Sequence, residues 1–178
     1  MKLHIERLPV DSDEGVALVR ACFADIIGRA LGRAVTEAEL DAAMAADPAA
    51  GLAEPHGWFL GAGLNGRLVG GLGIKRISPD TGELQRFYVA PAARGLGVGS
   101  KLLLMAERTA TTDGMTTLRL DTRSDLVEAT RLYLRNGFEP VEPFNDDPHV
   151  DRWYAKRLGR TIEGIEDPAE SGDYPTPV

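Results

Sequence analysis

Three glycines at alternate positions, Gly95, Gly97 and Gly99, stand where a β-type run that ends at Ala90-Pro91 gives way to a helical pattern in which Val98, Leu102, Met105, Ala106 and Thr109 recur on one face. Without β-carbons a backbone can curl so that successive N–H groups point into one cavity. The helix that follows adds its unpaired N-terminal donors and a partial positive charge. A junction of this kind is suited to a pyrophosphate. Arg94 opens the turn and is placed to set a permanent cation beside the same oxygens.

The charge of the chain favours that location. The formal net charge is −7, which argues against general affinity for nucleic acid, yet between Lys75 and Arg135 ten Lys and Arg outnumber seven Asp and Glu. A phosphate-rich ligand follows local potential rather than net charge. No stretch approaches the roughly 18 consecutive apolar residues of a membrane span. The start, Met1-Lys2-Leu3-His4-Ile5-Glu6-Arg7, alternates polar and apolar residues and carries an acid where a secretory signal needs an apolar run, so a cytoplasmic protein is expected. One cysteine, Cys22, excludes an intramolecular disulfide and sits in an apolar helical pattern, where core packing is expected. His4, His56 and His149 are too scattered to suggest a metal site.

Along the chain, residues 3–8 read as a strand. Asp11-Ser12-Asp13 caps a first helix, and Thr36-Glu37-Ala38-Glu39 has the spacing of a capping box opening a second, which Asp47-Pro48 stops. Ala49 to Gly57 is expected to be a loop. Asn65-Gly66 marks a hairpin between two strands from Trp58 to Ile77, and Glu83 to Val89 forms a third strand. After the glycine turn come a helix, a strand (Thr117–Asp121), a helix (Asp125–Asn136, ended by Gly137), a strand (Phe138–Val141) and a closing strand (Val150–Leu158). The order predicts one α/β (α+β) domain over residues 1–158, a mixed sheet of about seven strands flanked by about four helices. Residues 159–178 hold five acids and one arginine, with four Pro or Gly in the last eleven, and read as an acidic, flexible tail.

Spacing separates three phosphate-binding readings of the turn. A kinase-type loop ends Gly-Lys-Ser/Thr, whereas this chain has Gly99-Ser100-Lys101. A dinucleotide fingerprint requires glycine at position 100 and belongs to the first strand–helix unit of a parallel sheet. The third, Arg/Gln-x-x-Gly-x-Gly/Ala, is met by Arg94, Gly97 and Gly99 after a Val89-x-Pro91 strand exit. This turn, the run from Glu83 to Leu103, and the later Glu128-Ala129-Thr130-Arg131-Leu132-Tyr133-Leu134-Arg135-Asn136-Gly137-Phe138 together resemble the GNAT superfamily of acyl-CoA-dependent N-acyltransferases, over roughly Lys2 to Leu158. The ending through Asn145 and Trp153-Tyr154 is similar to its small-substrate branches.

The resemblance implies acetyl-CoA as cosubstrate, no metal, and an acetyl transfer to a primary amine of a small molecule or amino acid. A protein or peptide amine, and a non-catalytic acyl-CoA sensor, remain alternatives, and a homodimer is compatible with either. It further implies that Phe87, Tyr88 and Val89 line the pantetheine arm, that Arg94, Gly95, Leu96, Gly97, Val98, Gly99 and Ser100 hold the pyrophosphate, that Tyr133 donates a proton to the CoA sulfur, and that Glu83 accepts one from the amine, often through water. The acceptor is expected from the side of the two N-terminal helices, with His56, Trp58, Arg86 and Asn145 as candidate contacts. Leu126 stands where many relatives carry an Asn bound to pantetheine, with Ser124 or Asp125 as possible substitutes.

Overall fold

A computed structural model describes residues 1–159 of the chain. The expected acidic tail therefore lies, from residue 160 onward, outside the described residues. Strand β1 (Leu3–Arg7) leads into α1 (Asp13–Leu31), whose start is fixed by the Ser12 side chain accepting the Gly15 N–H. Thr36 and Glu39 satisfy each other's backbone donors in a capping box, and α2 (Glu37–Ala46) runs from there to the turn before Pro48. The expected loop that follows contains a short 3-10 turn, Ala49–Leu52, because Leu52 is drawn into the core.

Strands β2 (Gly57–Leu64) and β3 (Arg67–Ser78) meet at Asn65 and Gly66, both at positive φ, 51° and 81°. That is the twist-matched hairpin turn which this dipeptide permits. Strand β4 (Thr81–Val89), α3 (Val98–Thr112), β5 (Thr117–Thr122), α4 (Val127–Arg135), β6 (Glu139–Pro140) and β7 (Arg152–Arg157) complete the domain. The four expected residues of β6 shrink to two. Phe138 turns into the core at 1% exposure, Pro140 has no N–H to give, and beyond it a single bond from Val141 N to the Trp153 carbonyl continues the pairing.

The seven strands lie in the order β1-β2-β3-β4-β5-β7-β6, antiparallel except for β4 against β5. Alternate residues of the central strands feed two cores. Trp58, Leu60, Leu72, Ile74, Leu84, Leu118 and Leu120 pack with α3 and α4 on one face. Phe59 packs with Leu18 and Val19 of α1 and with Leu52 on the other.

The parallel pair is short. β4 and β5 are in register only at Thr81, Gly82 and Glu83 against Thr117, Leu118 and Arg119. β4 then stays with β3 as far as Val89, and β5 stays with β7 as far as Thr122, so the sheet parts between them. A break in the β3–β4 register between Gly71 and Gly73 coincides with Arg86 at φ 54°. Such a bulge adds local twist and turns the strand away from its neighbour.

Candidate functional site

The glycine turn lies at the start of α3, where β4 leaves the sheet. Gly95 and Gly97 take positive φ, 77° and 82°, and a β-carbon on either would meet open space. These two are needed for backbone conformation. Gly99 differs from the expectation that all three glycines serve the curl: a β-carbon there would lie 2.8 Å from Leu132 Cδ2, so its role is the close approach of α3 to α4. From Gly95 to Ser100 no backbone N–H has an acceptor among the described residues, the first bonded donor being Lys101 to the Gly97 carbonyl. Six consecutive donors, at the positive end of a 15-residue helix, are therefore free for an anion.

Arg94 stands beside them but is not idle. Its Nη2 donates to Asp25 Oδ2 at 2.9 Å and its Nε to the Val89 carbonyl at 2.9 Å. Arg29 pairs with both Asp25 and Glu128. An alternating chain of charges thus ties the end of β4 to α1 and α1 to α4, and fixes the mouth of the turn.

The edge of β4 beyond Glu83 has no strand partner on the β5 side. Along it, the Phe87 carbonyl accepts a weak bond from the Cys22 thiol at 3.8 Å, and the Phe87 ring lies 5.9 Å from that of Tyr133. Burial pushes the Cys22 thiol up to about 12, which fits packing rather than nucleophilic work. Tyr88 packs on the opposite face, against the α1 core. Tyr133 is held among Phe87, Phe138 and Tyr154 and is 6% exposed. Burial, with the charges of Cys22 and Asp121 adding, holds its phenol well above the usual range. No described side chain hydrogen-bonds its hydroxyl.

On the other face, at the apex where the strands part, Glu83 is clamped. Arg119 Nε donates to Oε2 at 2.9 Å, and Gln85 Nε2 donates to Oε1 at 2.8 Å. The Arg119 guanidinium also stacks 4.1 Å over Phe144. Two residues farther along β5, Asp121 accepts from Asn145 Nδ2 at 2.6 Å, and Asn145 Oδ1 accepts from Trp153 Nε1 at 3.0 Å. Burial raises the Asp121 carboxyl above its ordinary value; Glu83 and Asp147 raise it further, while the Asn145 hydrogen bond opposes them.

The structure thus gathers Glu83, Tyr133, Phe87, Val89, the glycine turn and Asn145 around the parted strands. Arg86 lies on the α1 side, bonded to Asp47 and stacked 4.6 Å over Phe23, with its Nε buried and unpartnered. Trp58 is not brought in. Its ring faces the α3 core between Arg7 and Arg76, lining a pocket of about 290 Å³ with Asp113. Asp113 caps the far end of α3, about 22 Å of helix from the glycine turn. His56 is exposed near the same end, its carbonyl accepting from Arg76 N. Leu126 sits at the N-cap of α4 and offers no side-chain bond; the suggested substitutes are engaged elsewhere, Ser124 by Asp151 and Asp125 by Arg123. Sequence reasoning missed Asp121, Arg119 and Asp25. The first two alternate on one strand face, a visible signal, but their proximity to Glu83 depends on a parallel pairing that local pattern does not specify.

A sheet parted beside a donor-lined turn leaves an unpaired strand edge and a row of free backbone donors at one place in the domain. Residues 20–138 match the Acetyltransferase (GNAT) family, and the chain belongs to that family. It is 41% identical over 80 residues to the uncharacterized N-acetyltransferase YjgM of Escherichia coli, covering 43% of this chain and 48% of that one. It is 30% identical to the uncharacterized N-acetyltransferase C1271.07c of Schizosaccharomyces pombe, over 80% of this chain and 85% of that one. An IAA acetyltransferase of Azospirillum brasilense is 38% identical, over 54% and 66%. The chain thus spans about half the length of the first of these relatives. The fold is similar to that of PaiA N-acetyltransferase from Thermoplasma acidophilum, solved in complex with coenzyme A, with a TM-score of 0.69, 21% identity, and 89% and 100% of the two chains covered. Among the described residues no His, Cys, Asp and Glu side chains group in threes to hold a metal ion, and no helix is long and apolar enough to cross a membrane.

Proposed function

We propose that the domain of residues 1–158 transfers the acetyl group of acetyl-CoA to a primary amine of a small molecule or amino acid, directly, in a ternary complex. The observation that carries this reading is the unpaired edge of β4, which runs from Glu83 to six free backbone donors at Gly95–Ser100. A pantetheine arm adds to that edge as a strand would, at Phe87 and Val89, and the pyrophosphate rests on the turn. Tyr133, a neutral phenol at the mouth of the gap, gives a proton to the departing thiolate. Glu83, fixed by Arg119 and Gln85, places negative charge where the ammonium arrives. Arg86 and Asn145 border the acceptor path. Holding amine and thioester together supplies roughly 7–11 kcal/mol of the barrier reduction. The IAA acetyltransferase relative supports a small acceptor.

Thiol release from acetyl-CoA, measured against panels of small amines, amino acids and basic peptides, tests the proposal. Turnover with one of the small acceptors is expected. Binding of CoA with no turnover on any amine would identify a sensor instead, and turnover confined to peptides would identify a protein-directed enzyme.

A further inference from the structure

The two carboxylates on the acceptor side are not equivalent. Both oxygens of Glu83 have side-chain donors, Arg119 Nε on one and Gln85 Nε2 on the other. Glu83 also stands at the last paired position of β4 and β5, the closed apex of the gap. Each oxygen keeps a further lone-pair site, yet an ammonium approaching Glu83 would meet a donor already in place and, on one side, the positive charge of Arg119. Asp121 lies two residues beyond Arg119, on the same face of β5 and past the apex, where the strands have already parted. Only its Oδ2 has a side-chain donor among the described residues, Asn145, and Asn145 is itself held by the indole of Trp153, the residue opposite Asp121 in β7. One oxygen is thereby oriented, and no side chain among the described residues donates to the other.

We propose that Asp121, rather than Glu83, takes the proton from the acceptor ammonium. This rests on the acetyltransferase reading above and names the base within it. The groups whose charge or hydrogen bond reaches Asp121 are Glu83 of β4, Asn145 and Asp147 of the segment between β6 and β7, and Tyr133 of α4, whose phenol feels the Asp121 charge; Gln85 of β4 and Arg119 of β5 stand one step away, bonded to Glu83. Burial, with its two acidic neighbours, raises the carboxyl above its ordinary value against the opposing Asn145 hydrogen bond, and a higher pKa makes a stronger base.

The steps balance. The ammonium R–NH3+ gives one proton to Asp121 and becomes the neutral amine. Its lone pair forms the C–N bond with the thioester carbonyl, the C–S bond breaks, and the sulfur takes the Tyr133 proton. The second proton of the amine returns to the tyrosinate through water. Asp121 releases its proton to solvent when amide and free thiol leave.

The test is the pH profile of kcat/KM for thiol release, with an amine that the wild type uses, alongside calorimetry with CoA on every variant. Asp121→Asn is expected to lose about 100-fold or more in kcat/KM and to lose the acid limb of the profile, with CoA affinity unchanged within about twofold. Glu83→Gln is expected to raise KM and keep the acid limb. Asn145→Ala removes a hydrogen bond that favours the ionised carboxylate, so the acid limb moves to higher pH. Retention of rate and limb in Asp121→Asn, or loss of the limb in Glu83→Gln alone, overturns the assignment while leaving the acetyltransferase reading intact. Should Asp121→Asn fail to fold, Asn145→Ala decides, and an unmoved limb there overturns it. Wild-type protein that binds CoA and releases no thiol with any amine overturns the enzymatic reading itself, and the base with it.

Discussion

Gly97 and Gly99 are two positions apart and do different physical work. Gly97 is at φ 82° with free space around it, so any side chain there is strained by the backbone alone, by about 1–2 kcal/mol. Gly99 has no such φ, and what it avoids is Leu132. The difference is measurable. In a double-mutant cycle of thermal or denaturant unfolding, Gly99→Ala and Leu132→Ala should couple by at least about 0.5 kcal/mol, since shortening Leu132 removes the 2.8 Å contact. Gly97→Ala should show no coupling to Leu132→Ala and should weaken CoA binding. Equal coupling at both positions would remove the distinction. Glu83 and Asp121 differ at the same scale: side chains donate to both oxygens of Glu83 and to one of Asp121.

At the scale of elements, the function depends on one strand leaving another. β4 keeps its antiparallel partner β3 to the end and abandons β5 after three residues, and the bulge at Arg86 is where its path changes. Helix α4 then fills the gap from the far side, delivering Tyr133 to Phe87 and closing with Gly137 at φ 82°. The Tyr133 ring packs against three aromatics, while its hydroxyl has no described side-chain partner, so packing and chemistry are separable in this residue. Tyr133→Phe is expected to change the unfolding free energy by no more than about 0.5 kcal/mol, since no protein hydrogen bond is lost. Turnover should fall by about 100-fold, the lower range for a general acid. A melting point far below wild type, or unchanged kcat, would show that the hydroxyl serves structure or nothing.

At the scale of the whole molecule, the ligand site joins parts that the chain keeps far apart: α1 through Asp25, β4, the turn, β5 and α4. A ligand held by all of them binds only the folded state. CoA at 100 times its Kd should stabilise the protein by about 2.7 kcal/mol, read as a rise in Tm. ATP at the same concentration should give a smaller rise, since it has no arm to lay along β4; a larger rise with ATP would favour a nucleotide enzyme. Much of this molecule is written locally. Ser12 and Thr36 cap their helices, Asn65-Gly66 turns the hairpin, and the glycine run joins β4 to α3, because caps, turns and periodicity act over a few residues and are set by the side chains present there. The order of elements and the GNAT resemblance were legible for the same reason. The partners of charged and aromatic side chains were not. That Trp58 faces the α3 core, that Arg94 is held by Asp25, and that Asp121 stands beyond Glu83 in an open gap all follow from which strands pair and where they separate. Those pairings join residues tens of positions apart, and their register is fixed only when two cores pack on opposite faces of one twisted sheet.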